Sequence, residues 1–501
     1  MIPQKGLSIF PHPNNALRGS LIVKSNLFRR GFLSLVMTQF FGAMNDNILK
    51  GVLVFMVING VWAGMLGTGG QGIVGICFTI PFILLSGYAG QVADRYSKTS
   101  VTQWVKIAEV PIALLAAVGF YIQNLWLTLF ALIALTCQSA FFGPAKYGMI
   151  PELVDDSDLS RANGSINMMT NVAVIVGTLI AGLVSDAYFP LSEAVGPATA
   201  VVANGELWLP GVSLVVVAIA GLIAAMFMVR LPAGKKVLKF DLNPFTTYLV
   251  TIREMRQTRL FMVMMAWGYF YLLAGIALFI LPEYTTVMGI SRAGASVLMG
   301  VLGIAIGLGC AAAGLVSGHQ IKPRLIPFGA LGLIIFFFLL AIVEPLKLGP
   351  KAELWEIAST NVSLFIFCAG FSSGFYIIPL QALLQSLSPP AERGRYLGTA
   401  NGVSFAFLTI AAAFYFVCAP IFVGREHKMF YVCSGLMAVG AVYFLWAFRG
   451  SGMLIGNGAS TESPLTTADL AESRGDETLS DDTDATECTI EYPETTEDQD
   501  S

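Results

Sequence analysis

Twelve apolar segments, each of bilayer-crossing length, recur along this chain of 501 residues. They fall at roughly 31–58, 72–93, 101–122, 125–149, 163–187 and 208–230. After a basic interval they resume at 260–282, 293–317, 324–344, 355–386, 397–420 and 427–448. Each holds the ~20 residues a helix needs to cross hydrocarbon. Lipid offers no hydrogen bonds, so passes of this kind satisfy their amides within helices. The fold expected is therefore all-α: a polytopic membrane protein with 12 transmembrane helices in two six-helix bundles. Charged residues make up only 12 % of the chain, about half the share of a soluble domain (~25 %). Glycine, alanine and serine recur inside the segments, as close helix packing in lipid requires. Pro379 makes the tenth segment a candidate for a break, and Gly143-Pro144 is expected to interrupt the fourth.

Residues 1–27 are polar and read as a cytoplasmic N-terminal segment followed by an uncleaved first helix. The bundles are assigned to 28–230 and 260–449, with a basic cytoplasmic linker at 231–259 between them. Within that linker Leu249, Ile252 and Met255 recur at helical spacing beside arginines, which suits a short helix lying on the membrane surface; an ordinary basic connecting loop is the other reading. With the N-terminus inside, 23 of the 29 Lys and Arg fall on the cytoplasmic side, Lys106 and Lys146 among them, and five, including Arg292, fall opposite. That is the bias of the positive-inside rule, and it places both termini inside. Residues 450–501 form an acidic tail whose composition is that of a disordered segment.

Several function classes drop out. The seven cysteines and three histidines are scattered and imply neither a disulfide framework nor a metal site. No phosphate-binding loop sequence or nucleophile motif appears, so no cofactor and no enzymatic chemistry are expected. The acidic tail speaks against nucleic acid as a partner.

Within the first segment, TQFFGAMNDNILK (38–50) carries charge at membrane depth. Helical spacing puts Gln39, Gly42, Asp46 and Lys50 on one face, flanked by Asn45 and Asn47. Charges there face a bundle interior or a watery cavity and usually pair. Two readings stand: an Asp46–Lys50 pair pinning the helix, or the polar wall of a translocation path.

Other motifs lie near the helix ends. GQVADRYSK contains Gly90, Asp94, Arg95 and Lys98, a glycine-plus-charge loop suited to closing a gate between helix ends. The second half has GLVSGHQIK (314–322), without the Asp-Arg pair. FFGPAKYGMIPELV (141–154) brings Lys146 near the inner interface, as an anchor or as a phosphate contact. Arg161, Asn163 and Asn167 open the next helix, Glu283 closes the seventh near the outer interface, and Gln381 and Gln385 share a face of the tenth.

FFGAMNDNILK, GQVADRYSK, FFGPAKYGMIPELV with the following RANG, and PLQALLQSLSPPAERGR together resemble the lysophospholipid transporter branch of the major facilitator superfamily. The resemblance extends from about residue 36 to 400, and Ser97 stands where the loop motif has a later glycine. It implies a secondary transporter moving lysophospholipid, such as lysophosphatidylethanolamine, from outer to inner leaflet of a bacterial cytoplasmic membrane by alternating access. Some members carry fused acyltransferase and ligase domains. Neither is present in this sequence, so a separate cytoplasmic-side acyltransferase is the expected partner, beside the substrate and membrane lipids. Two alternatives remain from the residues: a proton-coupled transporter of another small solute or drug, with Asp46 or Glu283 titrating, and a non-transporting membrane scaffold acting through its tail.

Overall fold

The computed structural model describes residues 30–154, 159–190, 205–232, 243, 245–317, 321–389 and 393–450. The N-terminal segment, the acidic tail and the His319 loop lie outside these residues. Among the described residues, twelve helices are long and apolar enough to cross a membrane. Six precede the linker: α1 (Arg30–Asn59), α2 (Gln71–Arg95), α3 (Lys98–Tyr121), α4 (Leu125–Leu153), α5 (Leu159–Tyr188) and α6 (Leu209–Met226). The linker helix is α7 (Thr246–Arg256). The later spans are α8 (Arg259–Ile280), α10 (Arg292–Ser317), α11 (Leu325–Ile342), α13 (Asn361–Leu387), α14 (Arg393–Cys418) and α15 (Phe430–Gly450), with short α9 (Tyr284–Val287) and α12 (Leu354–Ala358) between them. An even number of passes puts Arg30 and Gly450 on the same face, called here the termini face; the other is the far face.

Three local expectations change. α4 runs unbroken through Gly143-Pro144, and α13 through Pro379. In lipid a helix keeps its remaining amide bonds across a proline because no solvent competes for them. The tenth segment breaks earlier, at Ser359-Thr360: Glu353 and Glu356 close a reciprocal cap on α12, and the Thr360 side chain accepts from Ser363 N at 3.2 Å to begin α13. Third, Lys106, Lys146 and Arg292 are not loop cations. All three are buried within helices, and setting them aside leaves the charge bias in place.

The linker contains a helix over the stretch whose periodicity suits one. In α7, Met255 is fully buried while Leu249 and Val250 are exposed. Glu254 receives a 2.5 Å bond from Arg395 and a 3.0 Å bond from the Tyr396 hydroxyl, tying α7 to the start of α14. Outward-facing Trp104, Trp126, Trp208, Trp355 and Trp446 lie toward helix ends, the depth that amphipathic rings prefer.

The halves meet through α2 with α14 and α5 with α10. Small residues let backbones approach on the far-face side: a Cβ on Gly72 would lie 3.0 Å from Phe416 Cβ, and one on Gly182 2.9 Å from Ala293 Cα. Deeper, the Thr79 and Thr409 hydroxyls meet at 2.7 Å, and Phe82 stacks on Phe405 at 4.6 Å. Toward the termini face the same helices lose these neighbours. A Cβ added to Gly90 of α2, Gly164 of α5, Gly314 of α10 or Gly398 of α14 would meet nothing.

Candidate substrate path and far-face gate

The polar residues of α1 reach different helices. Gln39 Nε2 donates to Thr170 Oγ1 of α5 at 2.9 Å, and Asn47 Nδ2 donates back to Ala43 O at 2.7 Å. Asn45 turns to α3, where its Nδ2 donates to Glu109 Oε1 at 2.8 Å. Glu109 also binds the ammonium of Lys106, one turn away, and receives Gln138 Nε2 of α4 at 3.1 Å. Both charges of this pair are almost wholly buried. Such a pair is tolerable only when the carboxylate's other lone pairs are satisfied, as Asn45 and Gln138 do here. Gly42 gives the lysine room, since a Cβ there would lie 2.5 Å from its Nζ.

Asp46 and Lys50 are half-buried and do not pair. Asp46 faces α4, where Ser139 Oγ lies 3.0 and 3.1 Å from its two oxygens. Lys50 faces α2 with its ammonium 4.8 Å from the Phe78 ring centre. Lys146, on α4, rests over Tyr147 at 4.5 Å. Neither lysine has a carboxylate within ion-pair distance among the described residues. The first half thus holds one acid and two bases whose charges are met by a hydroxyl and by ring faces. Three other predicted positions lie toward the open termini face: Asn163 and Asn167 of α5 and Gln385 of α13 are exposed, whereas Gln381 is half-buried. Exposed amides on spanning helices imply water beside them.

Nothing comparable faces them from the second half. Between their ends, α8, α10, α11, α13, α14 and α15 carry no Asp, Glu, Lys or Arg. Aromatic contacts dominate instead: Trp267 with Tyr271, Phe270 with Tyr376, and Phe279 with Tyr415.

Two cations of the glycine-plus-charge loop have described contacts. Lys98 at the start of α3 holds Glu152 at the end of α4 at 2.5 Å, within one half. Arg95 lies 5.8 Å from the Tyr96 ring. The side chains of Asp94 and Arg161 lie outside the described set.

At the far face Glu283 joins the halves. Gln71 donates to it through Nε2, and the Tyr415 hydroxyl donates to the same oxygen at 3.1 Å. A second bridge has no counterpart in the sequence reading. Arg292, the first residue of α10, is fully buried. Its guanidinium donates to Asn59 Oδ1 at 3.1 Å, Asn59 O at 2.6 Å and Phe189 O at 2.5 Å. Asp186, near the end of α5, accepts from the backbone N–H groups of Arg292 and Ala293 at 3.0 and 2.9 Å. Each half supplies a charge to the other's helix end: the cation meets carbonyls at the C-terminal ends of α1 and α5, and the anion caps the N-terminus of α10.

A sequence profile described as the Major Facilitator Superfamily matches residues 35–412. The chain belongs to that superfamily. Its curated relatives include proteins named lysophospholipid transporter LplT. The one from Cronobacter sakazakii is 28 % identical, covering 76 % of this chain and 85 % of the relative. The one from Photorhabdus laumondii is 28 % identical, covering 72 % and 81 %. Solved transporter structures match the fold at low identity. A bacterial homolog of the human lysosomal transporter Spinster, in an inward-facing and unoccupied conformation, aligns with TM-score 0.60 at 13 % identity, over 83 % of this chain and 96 % of that one. A POT family transporter in complex with 5-aminolevulinic acid gives 0.62 at 12 %, over 84 % and 96 %.

Proposed function

We propose that this protein transports lysophospholipid across the bacterial cytoplasmic membrane, from outer to inner leaflet, by alternating access. The observation that carries the reading is the separation of Asp46 from Lys50 and Lys146, each short of an ionic partner and all in one half. A zwitterionic head supplies what is missing. Its ammonium approaches the Asp46 carboxylate while its phosphate meets Lys50, one turn (~6 Å) further along α1, or Lys146 nearer the termini face. Leaving such a head unpaired at mid-membrane costs several kcal/mol or more. The aromatic, uncharged second half suits the single acyl chain. The LplT relatives support the substrate class.

The basic bias supports cytoplasmic termini. In that orientation the far face is the outer one, and the structure is closed outside and open inside. Delivery to the inner leaflet puts the product within reach of a separate acyltransferase. The open termini face supports Gly90, Asp94, Arg95 and Lys98 as an inner gate that assembles in the opposite state.

The test is uptake of labelled lysophosphatidylethanolamine by spheroplasts of a transporter-deficient bacterium expressing this chain. Asp46→Asn, Lys50→Ala and Lys146→Ala are compared at matched membrane levels. The expected outcome is uptake by the native chain that persists after the proton gradient is collapsed and drops at least tenfold in Asp46→Asn. Absence of uptake from correctly inserted native protein sinks the lysolipid assignment, and dependence on the proton gradient moves the proton-coupled alternative to first place.

A further inference from the structure

On the side of α1 away from Ser139 and Phe78, a groove of about 610 Å³ runs between α1 and α6. Its walls are Leu33, Met37 and Phe41 from α1, Ile223 and Ala224 from α6, and Phe227 just beyond. The one hydroxyl in it, Ser34 Oγ, is occupied by Arg30 O at 2.7 Å and Phe227 O at 3.2 Å, so the walls offer no free polar group. Leu33, Ile223 and Phe227 are each about half exposed, so the groove opens outward, to lipid. It closes at Phe41, where a Cβ on Gly221 would lie 3.3 Å from Phe41 Cβ.

Charge sits only at its mouth. Arg30 is exposed, with its guanidinium 5.1 Å from the Phe227 ring centre. Exposed Arg230 follows Val229, whose Cγ2 would lie 3.0 Å from a Cβ on Gly31, the residue after Arg30. Neither arginine has an acidic partner among the described residues, and no acidic side chain lines the groove. From Arg30 to Phe41 is eleven residues of helix, ~16 Å. One leaflet contributes about half of the ~30 Å hydrocarbon thickness. The groove is therefore one leaflet deep, apolar along its length and doubly cationic where headgroups begin.

We propose that this groove binds one anionic phospholipid of the leaflet at the termini face, an acyl chain between α1 and α6 and the phosphate on Arg30 and Arg230. A zwitterionic lipid fits less well, since its ammonium finds no carboxylate there. The site is separate from the transport path: Asp46 and Lys50 point to α4 and α2, not to α6. Its occupant braces α1 against α6 and so steadies the helix that carries the candidate head-group residues.

The full chain is reconstituted in nanodiscs of mixed phosphatidylethanolamine and phosphatidylglycerol, extracted gently, and its retained lipids are counted by native mass spectrometry. The native protein should retain about one phosphatidylglycerol. Arg30→Gln with Arg230→Gln should reduce the preference for phosphatidylglycerol at least fivefold, and Arg30→Lys with Arg230→Lys should restore most of it. Ala224→Phe, which fills the groove, should remove the bound lipid whatever its head. Asp46→Asn should leave retention unchanged, so the result stands apart from the lysolipid assignment. Equal retention by native, double-Gln and Ala224→Phe proteins overturns the proposal. So does a rise in phosphatidylglycerol after deletion of residues 1–27, which would make that segment the occupant, and so does retention without head-group preference.

Discussion

Replacing Arg292 with alanine should release the far face. The guanidinium makes three bonds at 3.1 Å or shorter to groups at the ends of α1 and α5, and all three must break for α10 to leave the first half. Hydrogen bonds to a charged group contribute about 1.5–3 kcal/mol each, but water replaces much of that when the face opens. Taking about 1 kcal/mol net per bond gives ~3 kcal/mol, roughly a hundredfold shift in the ratio of closed to open. Thr79 and Thr409, whose hydroxyls touch across the interface, provide the readout. In a background with the native cysteines replaced, Thr79→Cys with Thr409→Cys should form a disulfide quickly under mild oxidation. With closed and open states near equal in the native protein, adding Arg292→Ala should slow that cross-link by at least tenfold. Arg292→Lys, which keeps the charge but loses the fork, should fall between. Asp186→Asn keeps one acceptor for the exposed amides and should cost less. An unchanged cross-linking rate in Arg292→Ala refutes the reasoning, because it would mean that these bonds are equally satisfied when the face is open.

Two stability predictions follow from buried contacts. Lys106→Met leaves buried Glu109 charged without its counter-ion and should destabilise the first half by about 3–5 kcal/mol, read as a lower detergent unfolding temperature; adding Glu109→Gln should recover most of it. Gly309 lets α10 touch α13, where a Cβ would lie 2.9 Å from Phe371 Cα; Gly309→Leu should lower the unfolding temperature by several degrees, more than Gly307→Leu, whose position is open.

The twelve spans, the amphipathic linker helix and the superfamily were legible because each rests on a property local in sequence: segment length, apolar periodicity, or a short motif. What depended on partners was not. The 39, 42, 46 and 50 stripe follows from helical geometry, yet which helix each side chain meets depends on how α2 to α5 pack around it. Asp46 and Lys50 are spaced to pair, but Ser139 and Phe78 hold them apart. Lys106 reads as an interfacial cation until Glu109, Asn45 and Gln138 are seen around it, although Lys106 and Glu109 at a three-residue interval in an apolar segment were a usable signal. Arg292 opens a helix after a short loop, where an ordinary interfacial arginine also occurs. Only the convergence of Asn59, Asp186 and Phe189 distinguishes it. Proline misled in the other direction, because a rule learned in water overstates how readily Pro144 or Pro379 ends a helix in lipid.

The uneven distribution of charge between the halves has a consequence for how selectivity can change. On the proposed assignment of Asp46, Lys50 and Lys146 to the head, substitutions in α1 and α4 should act on its recognition, while substitutions among the aromatic residues of α8, α13 and α14 should act on the length and unsaturation of chain that can be accommodated. With the two determinants on separate bodies, one can drift without disabling the other. Exchanging second halves between relatives should then alter chain preference and leave head-group preference with the parent of the first half.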